Sequence, residues 1–162
     1  MLSKSMQENL NEQINAEISS AYLYLSMSAY CAANNRPGAA HWMRVQWQEE
    51  MGHAMKLFGY VYDRGGQVVL KGIPQPATKF KGILDVFQGV LEHEKKVTGM
   101  INRLYAAAVK ENDYPTQILL QWFITEQVEE EKSAAEVIEQ LKQIGDHGGA
   151  IIMLDRHLGE QK

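Results

Sequence analysis

Apolar positions recur at helical period along almost the whole chain. Residues 5–34 contain neither glycine nor proline, and Leu10, Ile14, Glu17, Ala21 and Tyr24 follow one another at spacings of four, three, four and three, which puts them on one helix face. Ser3 and Ser5 are candidate caps for this helix, with Gln7 and Glu8 placed to complete a capping box. Asn34-Asn35-Arg36-Pro37-Gly38 is a short breaker, so a second helix, over about 38–64, returns antiparallel to the first. Its inward face carries Met43, Glu50, His53, Leu57 and Tyr60, and Gly65-Gly66 can supply a left-handed cap. Trp42 and Trp47 fall off that face and are expected to pack against another helix or another subunit.

Residues 67–79 break the period with Gly72, Pro74 and Pro76, and Val68, Val69 and Leu70 favour a short extended piece. At about 3.3 Å per residue this segment spans the ~40 Å length of the second helix. That predicts a crossover, with the second and third helices parallel. The third helix, about 81–110, has the stripe Phe87, Leu91, Glu94, Val97, Ile101, Leu104 and Ala108. Asn112-Asp113-Tyr114-Pro115 turns the chain, Pro115 suiting the first helical position. The fourth helix, about 115–144, has Leu119, Phe123, Gln127 (or Glu126), Glu130, Ala134, Val137 and Leu141 on one side. After Gly145, residues 149–158 form a short apolar helix. Ile151, Ile152, Leu154 and Leu158 find no obvious place in a filled four-helix core, so an assembly contact is expected. The architecture read from the pattern is all-α, a single domain over 1–162. It is a four-helix bundle with one long crossover between helices two and three, plus a short fifth C-terminal helix.

Composition narrows the function classes. A chain of 162 residues supports one real core. A net charge of −4 without any Lys/Arg cluster argues against a nucleic-acid surface. Cys31 is the only cysteine, which excludes a disulfide framework and a cysteine zinc site. No run of 18 apolar residues occurs, no membrane association is expected, and a cytoplasmic location is the default.

The candidate chemistry lies inside the stripes. Each of the four long helices carries at least one acid near its middle on an apolar face: Glu17, Glu50, Glu94 and Glu130. Such groups cost several kcal/mol to bury unpaired. Glu50 and His53, three residues apart, project as neighbours, and Glu126, Glu129 and Glu130 share one side of the fourth helix. Glu17 and Glu50 can meet across one antiparallel pair, Glu94 and Glu130 across another. Four carboxylates contribute about −4, which two divalent cations balance, and neutral His53 adds a nitrogen ligand. Without metal some of these acids hold protons with raised pKa values. Oxygen ligands with a single imidazole suit Fe(II) or Mn(II) better than structural zinc. Two such metals can each give one electron to dioxygen.

With these motifs in place (LNEQINAEISSAYLYLSMSAYC, QEEMGHAMKLFGYVYDRGG, LEHEKKV and YPTQILLQWFITEQVEEEK) the sequence resembles the bacterial non-haem ferritins, a ferritin-like di-iron carboxylate family. The likeness covers essentially the whole chain. It implies a first iron held by Glu17, Glu50 and His53, and a second held by bridging Glu50 with Glu94 and Glu130. Gln127 would be a nearby hydrogen-bonding residue or weak ligand. A third iron position would use Glu49, Glu126, Glu129 and Glu130. Tyr24 would be an accessory electron donor or hydrogen-bond partner, or simply a core aromatic. The resemblance further implies a ferroxidase that oxidises Fe(II) with O2 or H2O2 and stores a ferric oxide-hydroxide mineral in a hollow 24-subunit shell. The short last helix would gather at the shell's four-fold axes. Bacterioferritins, which form haem-containing shells, carry a second Glu-x-x-His where this chain has Gln127-x-x-Glu130. Met51 stands where their haem ligand would, but no haem is expected. Miniferritins lack the last helix, and peroxidases with a rubredoxin-like site need four cysteines. Two rival functions fit the same helices: a di-iron oxidase or peroxidase that stores nothing, and a metal-free helical assembly protein. His41, His93, His147 and His157 lack partners at ligand spacing and are expected at surfaces or interfaces.

Overall fold

The computed structural model describes residues 1–162. Five helices account for its regular structure, and no strand is present: α1 (Lys4–Ala33), α2 (Pro37–Asp63), α3 (Ile83–Lys110), α4 (Tyr114–Ile144) and α5 (Gly148–Leu158). Helix α1 packs along α2 and α3 along α4, α1 also meets α3, and α5 lies mainly against α2. This is the four-helix bundle with crossover and short fifth helix that the pattern predicts. No helix is long and apolar enough to cross a membrane.

The start of α1 differs in detail from expectation. Ser3 caps it, its hydroxyl accepting from the Met6 N–H at 3.0 Å. No capping box closes, because the third position after the cap is Met6, which is fully buried. Gln7 instead accepts from the backbone N–H of Gln67 at 2.8 Å. At the other end of α2, Gly65 takes φ +71° as the left-handed cap residue. Helix α4 begins at Tyr114 with Asp113 as its cap, and Arg64 pairs with that carboxylate at 2.9 Å.

The crossover is extended but does not form a strand, and the reason lies in α1. Gln7, Asn11 and Asn15 are spaced by four, so their amides line one edge of that helix. The Asn11 side chain donates to Gln67 O and accepts from Val69 N–H, both at 3.0 Å. Asn15 accepts from Lys71 N–H at 3.3 Å. Alternate crossover residues thus satisfy their backbone on carboxamides rather than on a neighbouring strand.

The core is in two parts. One apolar cluster, at the α5 end, contains Tyr24, Trp42, Met43, Phe87, Val90 and Leu141. The other contains Leu10, Ile14, Leu57, Ile101, Leu120 and Phe123. On α4 it is Leu120 that is fully buried, with Leu119 only partly so, because the buried stripe there runs Thr116, Leu120, Phe123 and Gln127. Trp42 stacks edge-on against Tyr24 and Phe87, packing helix to helix.

Helix α5 corrects an expectation. Leu154 and Leu158 are buried in the first cluster, so part of its apolar face does belong to the bundle core, while Ile152 and Met153 remain exposed. It is held by Asp155, whose two carboxylate oxygens accept from the Gly38 and Ala39 N–H groups, each at 2.9 Å. These donors are among the unpaired amides at the α2 N-terminus, where a negative charge is favoured. A Cβ on Gly38 would stand 1.6 Å from the Asp155 carbonyl oxygen, so only glycine allows this approach.

Removing this anchor should be costly. Asp155→Ala strands two buried N–H groups and is expected to lower unfolding stability by about 1–3 kcal/mol. Urea denaturation followed by tryptophan fluorescence checks it, with Gly38→Ala destabilised in the same direction. Unchanged midpoints in both would show that α5 is held by its leucines alone.

Candidate metal centre

Between the two apolar clusters lies a polar layer. On α1 it is Glu17, placed after Ile14 and before Ala21. On α2 it is Glu50 and His53, on α3 Glu94, on α4 Gln127 and Glu130. Glu17 and Glu50 are each 1% exposed, Glu94 is wholly buried, and Glu130 is 9% exposed. The helical registers that bury Leu10, Leu57, Ile101 and Phe123 leave these polar side chains no route to solvent along the same faces.

The layer is underpaired. Ligand atoms of Glu17, Glu50 and His53 lie within 4.8 Å of one another, and so do those of His53, Glu126 and Glu130. Glu17 Oε1 accepts from Gln13 Nε2 at 2.7 Å. Glu17 Oε2, both Glu50 oxygens and His53 Nδ1 receive no hydrogen bond from any surrounding donor, and the one contact open to the two acids is a proton shared between Glu17 and Glu50. His53 Nδ1 stands 3.4 Å from Glu50 Oε2, out of line for a hydrogen bond. Its ring is fixed edge-on by Trp122 and Phe123, at centroid distances of 5.3 and 5.8 Å. Four buried atoms without a donor or acceptor, three carboxylate oxygens and one imidazole nitrogen on residues whose ligand atoms approach within 4.8 Å, are a set that could hold a divalent cation.

Electrostatics point the same way. Burial, then the neighbouring charge of Glu50, pushes the Glu17 carboxyl well above the ordinary carboxylate value. Burial and Glu94 do the same to Glu50. Glu130 is pushed up to about 8, by burial first and then by Glu94. A metal-free layer therefore holds protons that a cation would displace.

The remaining predicted residues are placed as follows. Glu94 lies outside both three-residue groups. It accepts from the Tyr24 hydroxyl at 2.5 Å and from Gln127 Nε2 at 3.1 Å. Tyr24 is thus a hydrogen-bond partner of the layer as well as a core aromatic. Burial raises its pKa well above the usual phenol value, which keeps it a donor. Glu126 is half-buried, its Oε2 4.0 Å from His53 Nε2. Glu49, which accepts from Gln46 at 2.7 Å, and Glu129 are exposed and belong to neither group.

Two histidines without partners at ligand spacing find them across the fold. His93 Nε2 lies 2.7 Å from Ser20 Oγ across α1 and α3, and His41 Nε2 2.6 Å from Gln161 O. Gln13 joins the layer although the stripe of α1 does not single it out. Its signal in the sequence is a glutamine one turn before Glu17 on the inward face.

Comparison with known proteins agrees with this geometry. A family model described as a ferritin-like domain matches residues 7–144. A bacterial non-heme ferritin of Campylobacter jejuni is 40% identical over 158 residues, covering 98% of this chain and 95% of the relative. One from Bacteroides fragilis is 42% identical over 161 residues, covering 99% of this chain and all of the relative. Among solved structures, an open-pore ferritin of the hyperthermophilic archaeon Archaeoglobus fulgidus superposes with a TM-score of 0.98 at 46% identity. That match covers 99% of this chain and 98% of the other. A form of the A. fulgidus ferritin engineered to be closed gives 0.99, also at 46% identity, over 100% and 99% of the two chains. With the family match running through all four long helices and relatives at this identity over nearly the full length, the chain belongs to the ferritin family.

Proposed function

We propose that this protein is an iron-storage ferroxidase. It binds Fe(II) as substrate in the buried layer, oxidises it with O2 or H2O2, and keeps the product as a ferric oxide-hydroxide mineral inside a 24-subunit shell. The observation that carries this reading is the set of four unpartnered ligand atoms on Glu17, Glu50 and His53. No structural role accounts for leaving them bare between two apolar clusters.

One Fe(II) would be held by Glu17, Glu50 and His53, and a second by Glu50 with Glu94 and Glu130. Two Fe(II) supply two electrons, which with two protons reduce one O2 to hydrogen peroxide. The protons that Glu17, Glu50 and Glu130 hold in the metal-free layer leave as the cations arrive. Tyr24 steadies the Glu94 carboxylate from the core side. Glu126, near His53 and Glu130, offers a first step outward, and with Glu49, Glu129 and Glu130 it would hold a third iron. Ferric ion hydrolyses and precipitates at neutral pH, so a closed container is what makes its oxidation useful. Apolar surface supports self-assembly: Tyr22, Leu25, Val69 and Leu70 are exposed. Around Met153, Ile144 and Ala150 there is a surface depression of about 600 Å³.

The test is aerobic Fe(II) oxidation by metal-free protein, with particle size measured before and after loading many irons per chain. Wild type is expected to oxidise quickly and to keep the iron in a large soluble particle. Glu50→Ala and His53→Ala are each expected to slow oxidation by at least about tenfold. Oxidation that halts near two irons per chain on a small oligomer would instead identify a di-iron oxidase without storage. Tyr24→Phe, which leaves one Glu94 oxygen unpaired, is expected to lower metal-free stability by about 1–3 kcal/mol in urea denaturation.

The pH dependence has a definite sign. Glu17, Glu50 and Glu130 bind protons more tightly folded than unfolded, Glu130 with a folded value of about 8, so as pH rises past 4.5 the unfolded chain carries fewer protons. Their contribution is fully present below about pH 4.5 and is lost as pH rises through the folded values. Metal-free protein is therefore expected to melt lower at pH 8 than at pH 5, with Zn(II) reversing the loss. Glu130→Gln should flatten this slope; an unchanged slope would remove Glu130 from the account.

A further inference from the structure

A second line of polar contacts leaves the layer between α3 and α4. Gln127, 3% exposed, has three acceptors within reach of its Nε2, whose two N–H groups they share: Glu94 Oε2 at 3.1 Å, Glu94 O at 3.2 Å and Thr98 Oγ1 at 3.2 Å. The Thr98 hydroxyl in turn donates to Glu131 Oε1 at 2.6 Å. Thr98, Gln127 and Glu131 line a groove of about 310 Å³, walled by Ile101, Ile124 and Val128, so the line ends at the protein surface.

The direction of these bonds is set from both ends, by Glu94 on the inside and by Glu131 through Thr98 on the outside. A carboxylate only accepts, so the proton between Glu131 and Thr98 belongs to Thr98. With that proton committed, Thr98 Oγ1 offers Gln127 a lone pair and nothing else. A carboxamide has one donor end and one acceptor end, and only the NH2 end can answer both Thr98 and the Glu94 carboxylate. Turned over, Gln127 would set its carbonyl oxygen against all three acceptors in a buried site, taking this donor from Glu94 Oε2 and Thr98 Oγ1.

We propose that Thr98 and Glu131 are positioning residues that fix the orientation of the Gln127 amide, and through it the placement of Glu94 for its metal ion. This rests on the reading of the layer as a two-metal site. Glu131 touches neither Glu94 nor the metal positions. It acts by committing the Thr98 proton, and Thr98 by refusing any donor but the Gln127 NH2.

The test uses Co(II) titration of the metal-free full-length protein, followed by its visible absorption, alongside Fe(II) oxidation. Wild type is expected to bind two Co(II) per chain. Thr98→Val, similar in shape but without the hydroxyl, should weaken one of the two by on the order of tenfold and leave the other unchanged. Glu131→Gln, which can donate to Thr98 and so free its proton, should shift the same ion in the same direction. Thr98→Ser, which restores the hydroxyl in a smaller side chain, should return binding to within about twofold of wild type.

A Thr98→Val protein that binds both ions like wild type overturns the proposal. So does a Thr98→Ser protein as impaired as Thr98→Val, since packing rather than bond direction would then be at stake. A wild-type protein that binds no pair of Co(II) ions sinks the two-metal reading together with the relay. Wild-type pair binding with unaffected variants sinks the relay alone.

Discussion

Mutual repulsion among buried carboxylates is the constraint on which this bundle turns. Glu17, Glu50, Glu94 and Glu130 come from four different helices into one layer, where water cannot screen them. Burial first, and then the neighbouring carboxylates, raise three of these carboxyls above their ordinary range, so the metal-free chain relieves the strain by holding protons. Partial hydrogen bonding does the rest: Gln13 serves Glu17, while Tyr24 and Gln127 serve Glu94. Glu50 and His53 receive nothing comparable. The fold carries this cost because the apolar clusters on either side hold the helices in register regardless.

The path of the chain serves the same end. Antiparallel pairs α1–α2 and α3–α4 each contribute two carboxylates at matching depth, and the crossover lets the second pair be laid against the first. A crossover of this length would be loose without support. Gln7, Asn11 and Asn15 support it from α1 by accepting from and donating to its backbone. Asp155 does a similar job at the other end, tying α5 to the start of α2.

Much of this is legible in the residues. A glutamate flanked by Ile14 and Ala21, or by Leu91 and Val97, interrupts a periodic stripe, and periodicity alone places it in the core. Helix identity and the crossover follow from breakers at 34–38, 65–79 and 112–115. What pattern cannot reach are contacts defined by partners remote in sequence. Asp155 reads as the polar side of a short helix until Gly38 is brought beneath it. Thr98 and Glu131 read as exterior positions of two separate helices until α3 and α4 meet. Asn11 and Asn15 look like solvent-facing residues until the crossover lies over them. The apolar count of α5 misleads for the opposite reason: Leu154 and Leu158 fill a gap at the bundle's end that stripe arithmetic treats as closed.

The division of the core into two clusters has a mechanical consequence. The two apolar clusters are separate, a seam of polar side chains lies between them, and rods of 27 to 31 residues run unbroken across it. Such rods resist stretching along their axes, so the seam can breathe only sideways, by small changes in the spacing between helices. Swelling and contraction at the middle then leave the apolar packing at both ends undisturbed. Helices joined in this way can change their spacing at the middle without loosening the contacts that hold their ends.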